Sequence, residues 1–194
     1  GLTTITNGTN YDTRLTVQAL AGGKVDLRRL TQILDPSTGD TRYRSVNLLA
    51  DGASSRLDVR ALTAFNDVYS GSTTIDNLDS SLIAKNGAII DISAPLALVG
   101  VNLVLESSAA LATAAIVSAA AGHLTLSGSG QTYNFPNLTN LNGSSVLVSG
   151  GATAAFPGVA SYINTTTLNN QTRTLQANGA GSTLDLRNVQ TITN

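Results

Sequence analysis

Apolar and polar residues alternate in short bursts along this chain, and the bursts recur. In Lys24-Val25-Asp26-Leu27-Arg28 the two aliphatic residues fall on one face and the three charges on the other. Arg56-Leu57-Asp58-Val59-Arg60 and Thr183-Leu184-Asp185-Leu186-Arg187 repeat the arrangement. A period of two marks a strand with one face buried. A second strand signal stands upstream in each unit: Leu15-Thr16-Val17, Val46-Asn47-Leu48, Ser81-Leu82-Ile83, Leu124-Thr125-Leu126, Val146-Leu147-Val148 and Thr174-Leu175-Gln176. Between the two strands lie Gly22-Gly23, Asp51-Gly52, Asn86-Gly87, Gly128-Ser129-Gly130, Gly150-Gly151 and Gly179-Ala180-Gly181. Glycine there permits the positive φ angles of a tight corner. After the second strand, apolar residues three apart (Leu30 and Ile33, Leu62 and Phe65, Val189 and Ile192) mark a third, shorter side.

The unit is therefore strand, glycine corner, strand, short side. Its second apolar residue falls at Leu27, Val59, Ile92, Phe135, Phe156 and Leu186, with a weaker copy at Leu111. The steps run from about 19 to about 33 residues, the scale of solenoid repeats. A unit this short buries its apolar face only against its neighbours. The pattern predicts an all-β fold, a three-sided parallel β-helix (β-solenoid) of about six to seven coils, with residues 1–194 as a single domain. The Ala-rich stretch from Ser108 to Ala121 also fits a short helix, since alanine is the best helix former. Ile92 to Leu105 is apolar but too short to span a bilayer, and it reads as buried coil. Leucine-rich repeats are the rival fold, but they need an inner Asn column and a more constant length. Leu2-Thr3-Thr4-Ile5-Thr6-Asn7 and Val189-Gln190-Thr191-Ile192-Thr193-Asn194 share one phase, which suggests a piece of a longer array.

Composition narrows the function. The chain has 42% apolar but only 4% aromatic residues and no Trp, Cys or Met, so its core is built of Leu, Ile, Val and Ala. With 11 basic and 12 acidic residues the net charge is −1, which excludes a strong field for nucleic acid or anionic lipid. No Asp, Glu, Lys or Arg occurs between Glu106 and Arg173. Lack of Cys excludes disulfides and thiolate metal sites. A Ser/Thr/Asn/Gly-rich repeat suits a secreted or cell-surface protein.

The candidate chemistry centres on the row Asp26, Asp58, Asp91 and Asp185. Adjacent strands bring carboxylates close, as acid–base catalysis on a polysaccharide requires. However, Lys24 and Arg28 flank Asp26, Arg56 and Arg60 flank Asp58, and Arg187 follows Asp185. Asp26, Arg28, Asp58, Arg60, Asp185 and Arg187 therefore read as a neutralised charge ladder. No catalytic residue, metal ligand or cofactor is expected. A glycosidase needs two carboxylates in contrasting environments, and no cue separates these. His123, the only histidine, lacks a second His or any Cys and reads as an exposed turn residue. Asp35-Pro36-Ser37-Thr38-Gly39-Asp40 and Asp76-Asn77-Leu78-Asp79 offer oxygens for Ca²⁺ but match no calcium loop, and read as turns. Thr3-Thr4 and Thr165-Thr166-Thr167 do not recur in register, as an ice-binding face demands. Tyr43, Tyr69 and Tyr133 are candidate contact residues, because tyrosine is favoured at interfaces.

Leu124-Thr125-Leu126-Ser127-Gly128-Ser129-Gly130, Leu175-Gln176-Ala177-Asn178-Gly179 and the Leu-Asp-Leu phrases resemble the repeat regions of large bacterial surface proteins, the filamentous-haemagglutinin-type adhesins and autotransporter passengers. The resemblance implies a non-catalytic structural or adhesive module. Its partner would be a surface protein or glycan, or another copy met end to end or side by side. A lyase or glycoside hydrolase, or a carbohydrate- or ice-binding module, is the alternative.

Overall fold

The computed structural model describes residues 1–67, 80–164 and 172–194. Tyr69, Asp76, Asp79 and Thr165 to Thr167 lie outside the described residues. The rest is nearly all β, with one three-residue 3-10 turn at Thr113–Ala115. The strands form five sheets, and every strand pairing is parallel.

Chain order and sheet order interlock. The largest sheet has seven strands: Arg14–Leu20, Ser45–Asp51, Ser80–Lys85, Val101–Leu105, His123–Ser127, Ser145–Ser149 and Leu175–Asn178. Each pairs with the corresponding strand of the next repeat, and the intervening segments join other sheets. Lys24–Asp26, Arg56–Asp58, Ile89–Asp91 and Ala110–Leu111 form a second sheet, which resumes after a break as Thr132–Asn134, Thr153–Ala155 and Thr183–Asp185. In a third sheet, Thr4–Thr6, Gln32–Asp35, Ala64–Asp67, Leu96–Val99 and Ile116–Ala120 pair in sequence. Ser161–Ile163 and Thr191–Thr193 form a separate two-stranded sheet.

The register explains why the repeated phrase is apolar where it is. Val17, Leu48, Leu82, Leu103, Leu124, Val146 and Leu175 are aligned partners in the large sheet. Ile5, Ile33, Phe65, Leu98 and Ala119 align in the five-stranded sheet. Strands lie about 4.8 Å apart, so such partners touch along the whole column. All five sheets turn one face into a single buried cluster. Leu57, Val59, Phe65 and Phe135 are wholly buried, and Val25, Leu27, Leu184 and Leu186 pack against the cluster from the outermost repeats.

Corners recur as the sequence pattern indicates. Between the first two strands of each unit, an N–H donates back to the carbonyl three residues earlier: Gly23 to Leu20, Ser55 to Gly52, Ala88 to Lys85, Gln131 to Gly128 and Ser182 to Gly179. Gly22 holds φ at 86°, a conformation a side chain would strain. A serine hydroxyl ties two of these corners to the neighbouring repeat. The Ser55 hydroxyl accepts from Gly22 N–H and donates to the Asp51 carbonyl, and Ser182 does the same for Gly151 and Asn178.

Two expectations change. The Ala-rich stretch is not a flanking helix. It runs as Ala110–Leu111, the 3-10 turn and Ile116–Ala120, because its inward residues Ile116 and Ala119 extend existing columns and that packing outweighs alanine's helical preference. Leu111 aligns with Ile90, so it belongs to the first apolar position of the phrase and not the second. Ile92 to Leu105 is buried along its inward positions, as expected, and contains two strands, Leu96–Val99 and Val101–Leu105, joined by Gly100 alone. A Cβ on Gly100 would sit 2.2 Å from the Asp67 carbonyl oxygen, and its φ is 66°, so only glycine fits this junction.

Candidate functional site: the aspartate–arginine face

Asp26 and Asp58 each close their strand, and the chain then turns, bringing the residue two positions on back over the carboxylate. The N–H of Arg28 donates to Asp26 Oδ1 at 3.1 Å, and its Nε donates to both carboxylate oxygens at 2.9 Å. Arg60 repeats these contacts on Asp58, with Nε to Oδ1 at 2.9 Å. Arg187 does so on Asp185, at 3.1 Å from N–H and 2.9 Å from Nε. A short turn thus combines backbone capping with a forked guanidinium contact, the strongest ion-pair geometry proteins use.

Asp91 breaks the rule. Ser93 stands where the other copies have Arg, so Asp91 takes its partner from the preceding repeat: Arg56 Nη2 donates to Asp91 Oδ1 at 2.8 Å. The cation in the strand's first position reaches diagonally across the sheet, linking two repeats.

Asp26, Asp58 and Asp91 are aligned partners in one sheet. Asp185 is not beside them. It lies beyond the sheet break, aligned with Ala155, which pairs in turn with Asn134. The expected row of four is therefore three acids and a separate one.

Electrostatics follow from these contacts. The guanidinium of Arg28 holds Asp26 at about 2, well below the usual carboxylate range. Arg60 lowers Asp58, outweighing the opposing effect of burial. Arg187 likewise lowers Asp185. All three are carboxylates at neutral pH, whereas an acid–base pair needs one carboxyl raised towards neutrality. A hollow of about 300 Å³ lies beside Asp185, lined by Asn134, Phe156, Pro157 and Arg187, and one of about 390 Å³ lies at the sheet break near Asp91, Leu111 and Tyr133. Among the described residues, no group of three His, Cys, Asp or Glu is placed to hold a metal ion.

The other candidates scatter. Tyr133 is buried, and its hydroxyl donates to the carbonyls of Ser127 at 2.8 Å and Leu105 at 3.2 Å, so it braces the core and does not serve as a surface contact. Tyr43 is half-buried at φ 60° and meets exposed Tyr11 edge to face at 5.5 Å, while Arg42 lies over the Tyr11 ring. His123 begins a strand of the large sheet and is half-buried, unlike the exposed turn residue expected. Asp35 is buried and is not a surface oxygen donor. Asn7 donates to it at 2.8 Å, and Arg44, itself buried, approaches its Oδ1 at 2.9 Å while donating to the Pro36 and Thr38 carbonyls. Burial pushes the Asp35 carboxyl upward against these partners.

Sequence reasoning passed over this Asn7–Asp35–Arg44 cluster, because its members lie far apart in the chain and match no motif. It also passed over Asp12-Thr13-Arg14 and Asp40-Thr41-Arg42, which carry the same acid-x-Arg pairing. Their spacing is the signal that would have found them.

No family model, curated protein or solved structure matches the chain.

Proposed function

We propose that the chain is a three-sided β-solenoid of about seven coils, a non-catalytic structural or adhesive module of an exported or cell-surface bacterial protein. The observation that carries this reading is the state of its acids. Asp26, Asp58, Asp91 and Asp185 are each held by an arginine, so their charge goes to joining repeats and closing turns. Support for the solenoid comes from the strand order: the seven-stranded sheet takes one strand from each successive repeat, and the other sheets follow the same order, with a single bridge at Asn140 in place of one strand. Parallel ladders stacked this way suit mechanical work, because each repeat templates the next. Among the described residues no helix is long and apolar enough to cross a membrane.

The test is turnover. Incubation with a panel of acidic and neutral polysaccharides is expected to release no new reducing ends or unsaturated products, with wild type and Asp58→Asn indistinguishable. Cleavage by wild type that Asp58→Asn abolishes while its circular dichroism is unchanged establishes the polysaccharide-cleaving alternative. A glycan array then separates an adhesive module from a purely structural one.

A further inference from the structure

We infer that Asp35 and Asp67 are a proton-sharing carboxylate pair, a buried clasp at the end of the five-stranded sheet that joins neighbouring repeats and loosens as its proton leaves. The two acids are aligned partners, Asp35 closing Gln32–Asp35 and Asp67 closing Ala64–Asp67. Each stands two residues after a wholly buried core residue, Ile33 or Phe65, so the period of two turns both side chains inward. Asp35 is 1% exposed and Asp67 4%. Aligned strands lie about 4.8 Å apart, which sets the two carboxyl groups side by side and out of contact with bulk water.

The charges around the pair do not balance. Arg44, itself buried, approaches Asp35 Oδ1 at 2.9 Å and is anchored by donating to the Pro36 and Thr38 carbonyls. Neutral donors complete the surroundings: Asn7 Nδ2 donates to Asp35 Oδ2 at 2.8 Å, and the Ser80 N–H to Asp67 Oδ2 at 2.9 Å. The sequence from 68 to 79 contains Asp76 and Asp79 but no Lys, Arg or His, so it supplies no second cation. Arg14 and Arg42, the neighbouring surface cations, are engaged with Asp12 and Asp40. Two carboxylates with one guanidinium would leave a negative charge buried, and a proton is the ligand that removes it. Asp35 Oδ1 is also buried without a well-aligned hydrogen bond, despite the nearness of Arg44, and a proton shared with Asp67 completes it. Burial pushes the Asp35 carboxyl upward even with Arg44 beside it.

The equivalent position elsewhere shows what the chain uses when no proton is needed. Asn7 follows Ile5 by two residues, and Asn164 and Asn194 follow the aligned Tyr162 and Ile192 by two. Asn164 Nδ2 donates to Asn194 Oδ1 at 2.7 Å. An amide meets an amide as donor and acceptor at any pH, whereas an acid meets an acid only with a proton between them. That proton belongs to the pair and to neither residue alone. A carboxyl raised on folding contributes stability that is complete below the unfolded value, about 3.9, and is lost as pH rises through the folded one. The clasp therefore responds to pH in the opposite sense to the aspartate–arginine ladder.

The experiment is carbon-13 NMR of the side-chain carboxyls in the 194-residue chain, with urea denaturation from pH 4.5 to pH 8. In wild type, one carboxyl of the pair is expected to stay protonated after the surface aspartates have ionised, and the unfolding midpoint to fall as pH rises. Asp67→Asn sets an amide beside Asp35, as Asn7 already is on its other side. It is expected to move the Asp35 titration to lower pH and to make the midpoint fall less; His123 and the N-terminus titrate in both chains and cancel in the comparison. Asp35 and Asp67 ionising together with the surface acids in wild type overturns the proposal, and this result decides alone if the variant does not fold. An Asp35 titration unmoved by Asp67→Asn, or an equal fall in both midpoints, overturns it as well.

Discussion

The repeats before residue 106 and those after it use the same backbone unit with different side chains. In the first sheet segment, Lys24–Asp26, Arg56–Asp58 and Ile89–Asp91 carry ion pairs outside and Val25, Leu57 and Ile90 inside. Beyond the break, Thr132–Asn134 and Thr153–Ala155 carry no charge, and their inward column alternates Tyr133 with Ala154. Phe135 and Phe156 stack there at 5.1 Å and 11° between ring planes. Repeat-to-repeat links change in step. Where Arg56 reaches Asp91 in the first part, Asn137 donates to the Ala114 carbonyl and Thr113 to that of Asn134 in the second. What the fold requires is therefore an inward apolar column and satisfied turns. Charge is one way to finish the outside, and amides and hydroxyls are another.

If the column is the common requirement, truncating it costs the same in both parts. Phe65→Ala and Phe135→Ala each remove a wholly buried ring, one from the charged repeats and one from the neutral. Each is expected to lose about 3 to 5 kcal/mol of unfolding free energy, measured by urea denaturation. A much smaller loss at Phe135 would mean that the neutral repeats pack loosely, and the equivalence of the two parts would fail.

Arg44→Ala comes next. It leaves Asp35 buried without its cation, and losing one partner of such a pair costs about 3 kcal/mol or more. The deficit should shrink at low pH, where protonation of Asp35 relieves the unpaired charge. Denaturation midpoints at pH 7 and pH 4 measure this, and an unchanged deficit would show that Arg44 acts through the Pro36 and Thr38 carbonyls alone.

The neutral part has its own buried polar device. The Ser144 hydroxyl, wholly buried, accepts from Gly122 N–H at 3.0 Å and donates to the Ala119 carbonyl at 2.8 Å. Ser144→Ala is expected to cost about 1 to 3 kcal/mol, because it orphans both groups. Ser55→Ala in the charged part makes the matching loss, so unequal values would distinguish the two corners.

These contrasts also show what the chain reveals of itself. The strands and corners were legible because period-two alternation and glycine are local signals, and Leu27, Val59 and Leu186 occupy the positions their phrase implies. The pairing of Asp26 with Arg28 was legible for the same reason, being two residues long. Arg56 with Asp91 was not, since it depends on which repeat lies above, and neither was Tyr133, whose core position follows from carbonyls at Leu105 and Ser127 that only the folded chain brings together. The Ala-rich stretch misled because its composition speaks for a helix while its column residues speak for strands.

The smallest effect separates the two parts most directly. Asp26 and Asp40 are held at about 2 by Arg28 and Arg42, against about 3.9 in an unfolded chain. Asp58 and Asp185 are lowered in the same sense. A carboxyl lowered on folding contributes stability that is complete above its unfolded value and is lost as pH falls through the folded one. Asp35, raised by burial, works in the opposite direction. Between pH 4 and pH 2 the ladder should therefore weaken while the stretch from 107 to 172 has no carboxyl to lose. The arginine of each pair is at least half exposed, although Asp58 itself is buried, and solvent screens the pairs, so the change is modest. Amide hydrogen exchange at pH 5 and pH 2.5, corrected for intrinsic rates, should show Lys24–Asp26 and Arg56–Asp58 losing protection a few-fold while Ser145–Ser149 keeps its own. Equal loss in both would mean that acid acts on the whole stack through one cooperative opening, and that the ion pairs do not stabilise their own repeats.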